Sequence, residues 1–420
     1  MSRYPDERRA VITGMGAMTC VGKSPEEFWT NLKNGVSGAR PMTVIDPSPF
    51  PCKVSGEVQE FDPTEGGLIN RREARRMGRF SQFALHASDQ AIKNAGLDLD
   101  SEDRERVGVL IGCGAGGLPE TDEQATLKAK RGALRISPFY IPVMLVNMCS
   151  ANVSRVFGLL GYTNTCVTAC AASTQAIGEA AEVIRRGAAD VILTGGSEAG
   201  ICELGMGGFS TIHALSTRDC PPSEASRPFD ADRDGFVPAE GSAMFVMESL
   251  AHAKARGAEI YAEVTGWGVS SDAFHLVQPH DEGKGAALAI KLALKDAERN
   301  LDDIDYINAH GTSTPLNDKS ETLAIKRAFG DHAYNTPVSS TKSMTGHSLG
   351  ASGSMEALAC MLSIRDQVLH PTINLDTPDP DCDLDYIPNV ARDTKVDVTL
   401  SNSFGFGGQN ACLVIERFGG

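Results

Sequence analysis

No CxxC pair, HExxH motif or spaced His/Cys quartet occurs in the 420 residues, so no familiar metal site is written into the chain. Basic charge is short: 39 Lys and Arg face 54 Asp and Glu, a net charge of −15. A general nucleic-acid binder needs a basic surface to displace counterions, and docking on anionic membrane needs one too; both are excluded as whole-surface functions. Local basic patches stay open. The most apolar stretch, residues 141–160, is broken by Asn147, Ser150, Asn152, Ser154 and Arg155 and cannot insert across a hydrocarbon layer of about 30 Å. No secretory apolar segment is seen in the polar Met1–Ala10, and the eleven cysteines are odd in number and scattered from Cys20 to Cys412. Reduced thiols and a cytoplasmic protein are the expectation.

The composition present, 41% hydrophobic and 22% charged, is that of a globular protein with a large core. Short Val/Ile/Leu runs alternate with helical patterns, as in Val107–Ile111, Ile177–Arg186 and Val191–Thr194, which reads as α/β with buried strands. The layout repeats. Asp190–Gly196 with Ser242–Glu248 is echoed by Asp397–Ser403 with Cys412–Glu416. Val107–Gly117 is echoed by Ile304–Gly311, and Cys166–Ile177 by Val338–Leu349 and the helix beyond. Two similar halves, 1–255 and 256–420, are expected. The stretches Thr217–Asp234 and Thr377–Asp385 read as surface excursions.

Two motifs mislead. Gly112, Gly114 and Gly117 form GxGxxG after a strand, but no strand ending in an acidic residue follows about 20 residues on, so close backbone packing is the better reading. Gly346–Gly350 matches GxSxG, yet the polar run Ser339–Ser343 stands where that nucleophile elbow needs an apolar strand. Cys170 is different. It lies between a strand pattern over Thr165–Ala169 and a helix pattern over Ala171–Arg186, where a helix N-terminus is expected to lower the thiol pKa and hold an oxyanion. His310, at a strand end, and His347, in a polar turn, complete a candidate Cys-His-His set at matching points of the repeat.

Val167–Ala171, Asn308–Thr314, Lys342–Gly353 and Asn402–Gly408 resemble, in order and spacing, the four active-site motifs of the elongating type II β-ketoacyl-acyl carrier protein synthases. The similarity runs from Val11 to Glu416. It implies an α/β, thiolase-like fold of two pseudo-repeated halves in five αβαβα layers, a homodimer, and an acyltransferase that elongates fatty acids by two carbons. Cys170 would carry the acyl chain as a thioester, and neutral His310 and His347 would bind the malonyl thioester carbonyl during decarboxylation. Lys342 matches the active-site lysine, held by Glu356 and Asp318; Phe406, beside Phe404, matches the gate, its amide sharing an oxyanion hole with that of Cys170. Thr312 and Thr314 match the pantetheine-binding threonines, and Phe209, Ala115 and Val277 fall among the substrate-binding positions. No cofactor or metal is implied, since phosphopantetheine arrives on the acyl- or malonyl-loaded acyl carrier protein.

Ala115, where many relatives carry a larger aliphatic residue, Val277 and Gln409 depart from the pattern and bear on chain length. An acidic chain must still meet an acidic carrier protein, which calls for a local basic site. Arg72, Arg75, Arg76 and Arg79 would form one stripe if Arg71–Ala91 is helical, with Arg135 as a second contact. The other readings are a polyketide or specialised-lipid ketosynthase and, from another class, a non-catalytic chain-length factor, which Cys170 with both histidines argues against. A Cys-His-Asn starter synthase fits less well, as does a thiolase, whose second cysteine is not matched by Cys412 in its strand pattern.

Overall fold

The computed structural model describes residues 5–419. Ten strands carry the architecture: β1 (Ala10–Thr19), β2 (Val107–Gly112), β3 (Thr163–Cys166), β4 (Val191–Glu198), β5 (Gly241–Ser249), β6 (Ala262–Ser271), β7 (Tyr306–Asn308), β8 (Val338–Ser339), β9 (Val398–Gly405) and β10 (Gln409–Glu416). They lie in the order β8-β7-β9-β10-β6-β1-β5-β4-β2-β3. Each set of five has the same internal order, third-second-fourth-fifth-first, and among the described residues the two sets pair at Val11↔Glu263 and Ile12↔Ala262. β2, β4 and β5 are buried along their whole length, as strands covered on both faces must be.

Six helices build the layers. α1 (Arg79–Ala95) and α2 (Met148–Phe157) cover the first sheet, α4 (Lys284–Asp296) and α5 (Pro315–Phe329) the second, and α3 (Ala172–Arg185) and α6 (Ser352–Asp366) fill the space between them. The outer helix α1 puts Phe80, Phe83, Ala84, Ala87, Ala91 and Ala95 on one buried face and stops at Gly96, whose φ of 58° only glycine adopts freely. Full burial of Phe80 or Phe83 is worth about 1.5–3 kcal/mol each. The central helix α6 is buried from Ser352 to Ile364, which is why it lacks a polar face. A Cβ on Gly112 would sit 2.2 Å from the Ser173 amide, so the first GxGxxG glycine serves β2–α3 packing rather than a dinucleotide.

Two expectations about elements fail. The single helix Arg71–Ala91 is instead Arg71–Ala74, opened by a capping box between Asn70 and Glu73, followed by a turn and then α1. Buried Met77 and extended Gly78 anchor that turn, and Arg79 leaves the stripe to hold Glu240 through two bonds of 2.7 and 2.9 Å. Nor is Thr217–Asp234 wholly a surface excursion: Ser226, Arg227, Phe229, Asp230 and Arg233 are buried. Its polar residues are satisfied internally, Ser226 Oγ by the Lys342 carbonyl and Asp230 by Arg227, and hydropathy alone gives no sign of this.

Candidate active site

Cys170 lies in the short turn Ala169–Ala171 that leads from β3 into α3, and Ala169 before it is forced to a φ of 49°. That left-handed residue is why the strand stops at Cys166 rather than Ala169. Leu349, at φ 46°, makes the echo of this elbow before α6. His310 follows β7, and His347 follows the turn Lys342–Thr345. Cys170 Sγ and the nearest ring nitrogens of both histidines lie within 4.8 Å of one another, all buried. The cavity they face has a volume of about 500 Å³. Gly114, Ala115, Phe209, Val277, Thr312, Thr314, Leu349, Phe404 and Phe406 also line it.

His347 Nε2 is 3.1 Å from Cys170 Sγ, and its Nδ1 is 2.9 Å from Ser352 Oγ. The two imidazoles cross edge to face at 5.4 Å. Lys342 Nζ donates to the His310 carbonyl at 2.7 Å and to His310 Nδ1 at 3.2 Å, and pairs with Glu356. Those three acceptors consume the three ammonium protons, so none is left for Asp318. Asp318 instead accepts from the amides of Phe229 and Thr312 at 2.9 and 3.0 Å and so shapes the segment carrying Thr312, correcting its expected contact with Lys342. Because an ammonium only donates, His310 Nδ1 must accept, and its ring proton belongs on Nε2, which the cavity sees as a donor. The three groups therefore have the spacing of metal ligands, but the His310 Nε2 lone pair a metal would need is taken up by a proton.

Burial, reinforced by the Lys342 charge, holds both histidines well below their ordinary pKa, so they are neutral near pH 7. Burial also pushes the Cys170 thiol up to about 11, against the attraction of Lys342 and a hydrogen bond from the Phe406 amide. The expected lowering by the helix N-terminus is thus overturned: desolvation of a buried thiolate outweighs it, and the resting group is a thiol. The half-buried ring of Phe406 lies 6.3 Å from that of Phe209. Phe404 meets His310 edge-on at 5.8 Å. Thr312 and Thr314 share a 2.9 Å bond at the cavity wall.

Other residues that shape the site escape sequence reading. Glu321, on α5, accepts from the amides of His310 and Gly311 at 2.8 and 2.7 Å, and burial lifts its pKa to about 7. Glu198 closes β4 and accepts from Gly114, Ala115, Gly116 and Gly350, tying Ala115 to the elbow at Leu349. A carboxylate ending an apolar strand is the one signal that could have flagged it. Ser352 sits in a run of small residues and gives none. Arg72, Arg75, Arg76 and Arg135 lie outside the cavity, exposed, with Arg76 over the Phe139 ring at 4.4 Å.

Family models match most of the chain: the β-ketoacyl synthase N-terminal domain over residues 7–253 and its C-terminal domain over 261–376. The chain belongs to the β-ketoacyl synthase family. It is 48% identical to a 3-oxoacyl-[acyl-carrier-protein] synthase 2 of Synechocystis sp. over 413 residues, 98% of this chain and 99% of that one. The protein of the same name from Coxiella burnetii is 46% identical over 412 residues, with the same coverage of both chains. Among solved structures the fold is shared with the ishigamide ketosynthase/chain length factor, at TM-score 0.92 and 36% identity over 98% of this chain and 100% of that one. A type II polyketide ketosynthase in complex with its acyl-carrier protein gives TM-score 0.90 at 36% identity and the same coverage. The family's thiolase-like architecture and the five layers described above agree.

Proposed function

We propose that this β-ketoacyl synthase performs the decarboxylative condensation of malonyl-acyl carrier protein with an acyl chain held on Cys170, lengthening fatty acids by two carbons. The observation that carries the reading is the pair of neutral imidazoles facing one buried thiol, one of them locked by Lys342 as an Nε2–H donor. Cys170 Sγ attacks the acyl thioester, the new C–S bond replaces the one to pantetheine, and the carrier thiol leaves. Malonyl thioester then binds with its carbonyl oxygen on the two Nε2–H groups. Loss of CO₂ leaves an enolate that these donors stabilise, and its carbon attacks the acyl-Cys170 carbonyl, whose oxyanion rests on the amides of Cys170 and Phe406. The carbanion comes from decarboxylation itself, so no step asks for a metal or cofactor.

Lys342 and Glu356 act as positioning residues that fix the tautomer of His310. Asp318 supports Thr312, which with Thr314 binds the pantetheine arm, while Phe406 and Phe404 gate the way to a pocket walled by Ala115, Phe209 and Val277. The division into halves 1–255 and 256–420, with the nucleophile in one and both histidines in the other, belongs to this reading; the repeated strand order supports it. So does a homodimer built along the edge strand β3, where Leu160 and Val167 are exposed. A cytoplasmic setting is supported by eleven free cysteines; among the described residues no helix is long and apolar enough to cross a membrane. The 48% identity to a 3-oxoacyl-[acyl-carrier-protein] synthase 2, against 36% to a type II polyketide ketosynthase, favours the fatty-acid role. The test is elongation of a ladder of acyl-carrier-protein thioesters with malonyl carrier protein, followed by mass spectrometry. The wild type forms an acyl-Cys170 adduct and a product two carbons longer, and Cys170→Ser forms neither. Full elongation by Cys170→Ser would contradict the reading.

A further inference from the structure

The two histidines differ in what holds Nδ1. For His310 it is Lys342, a pure donor, so that ring has one neutral form, with the proton on Nε2. For His347 it is the Ser352 hydroxyl, 2.9 Å away, which can donate or accept. That ring can hold its proton on either nitrogen.

The proposed reaction asks opposite things of His347 in its two halves. During acyl loading the Cys170 proton must go somewhere, and His347 Nε2, 3.1 Å from Sγ, is the base within reach. That demands a lone pair on Nε2 and a proton on Nδ1. During decarboxylation Nε2 must carry a proton to bind the enolate oxygen. We propose that Ser352 is a positioning residue that lets His347 alternate between these two tautomers, a base for loading and a donor for condensation.

The steps balance. In loading, the Sγ proton moves to Nε2 as the Sγ–carbon bond forms, and the ring is briefly a cation whose Nδ1–H is held by Ser352 Oγ. Nε2 then returns its proton to the departing pantetheine sulfur, leaving the ring neutral. Exchange of the remaining Nδ1 proton for one on Nε2, through water in the open cavity, turns the Ser352 hydroxyl from acceptor to donor and readies the second half. Ser352 matters more in the first half, because a hydrogen bond to a charged ring is roughly twice as strong as one to a neutral ring.

The inference rests on the condensing function, and its test separates the two. Ser352→Ala, at the first position of α6 where alanine suits a helix, is compared with wild type in rapid-quench acylation of Cys170 and, in a Cys170→Gln background, in decarboxylation of malonyl carrier protein. Acylation is expected to fall at least tenfold and decarboxylation less than threefold, and Ser352→Thr, which keeps the hydroxyl, to restore acylation. Equal losses in both assays, or no rescue by threonine, would overturn the role of Ser352; a wild type that neither acylates nor condenses would instead remove the functional reading beneath it. Should the alanine variant not fold, ¹⁵N side-chain NMR of histidine-labelled wild type decides. The expected result is a His347 proton on Nδ1 in the resting enzyme and on Nε2 after acylation; one unchanged tautomer in both states overturns the proposal.

Discussion

Within the active cavity each group sets the protonation of the next. Lys342 spends its three protons on Glu356 and on two atoms of His310, so the imidazole is neutral and presents Nε2–H to the substrate side. Removing either imidazole takes away one of two donors for the enolate, a loss on the order of a hundredfold or more in decarboxylation. His310→Ala is therefore expected to suppress decarboxylation while Cys170 still acylates, read by radiolabelled CO₂ release against acyl-enzyme formation. Failure to acylate with decarboxylation intact would reverse the roles. Cys170 was legible in the sequence from its place between a strand pattern and a helix pattern, and His310 and His347 because each sits among small polar residues at a strand end or turn, whereas Lys342 was reached only through the family's motif. Glu321, Glu198 and Ser352 were not legible, since their partners are amides and rings from other elements. Asp318 was misassigned for the same reason: its carboxylate turns toward the Thr312 amide, a choice made by tertiary packing.

At the scale of elements, the basic segment shows how a spacing argument can keep the right residues for the wrong geometry. Arg72, Arg75 and Arg76 remain exposed and close in sequence, but a helix of four residues and a turn present them, and Arg79 has been withdrawn to Glu240. The patch is correspondingly smaller, three arginines with Arg135 beyond them. Reversing charge at Arg75 and Arg76 is expected to raise KM for carrier-protein substrates several-fold and flatten its salt dependence, while a small acyl-pantetheine thioester reacts almost as before. Equal losses on both substrates would assign these arginines to the fold. The segment Thr217–Asp234 carries the complementary lesson. Its prolines and charges mark a loop correctly, yet Arg227 and Arg233 are buried against Asp230, Asp318 and Asp379, and pairing conceals burial from any hydropathy reading.

Across the whole molecule, the duplication was readable because β2, β4, β5 and their counterparts β7, β9 and β10 repeat in the same order, although a long insertion joins β4 to β5 where a short Gly-rich turn joins β9 to β10. The ionic contacts at the end of β5 were not readable: His252 lies between Glu248 and Glu102, at 2.9 Å from the latter, while Arg256 and Thr13 complete the shell of Glu248. The hydrogen bond to Glu248, ahead of the opposing effect of burial, raises the His252 pKa above its ordinary value. A raised folded-state pKa means the stabilisation is complete below the unfolded value of about 6.5 and fades as pH rises through the folded one. Burial works against Glu248 ionising, but Arg256, His252 and Thr13 hold its pKa at about 2, so it stays charged throughout this window. The difference in thermal midpoint between wild type and His252→Gln is thus expected to be largest near pH 6, on the order of 1–2 °C, and to shrink by pH 9. A gap that widens with pH would contradict the assignment.

The central claim is that the thiol and the imidazole pair do separable work, Cys170 carrying the chain and the histidines making the carbanion. Cys170→Gln removes the nucleophile and fills its place with a neutral side chain, leaving His310, His347 and Lys342 in position. Release of CO₂ from malonyl carrier protein by that variant, with and without His310→Ala, is the most direct measurement. The account predicts continued decarboxylation by Cys170→Gln without condensation, and its loss when His310 is also removed. Decarboxylation that vanishes with Cys170 alone, or survives without His310, would contradict it.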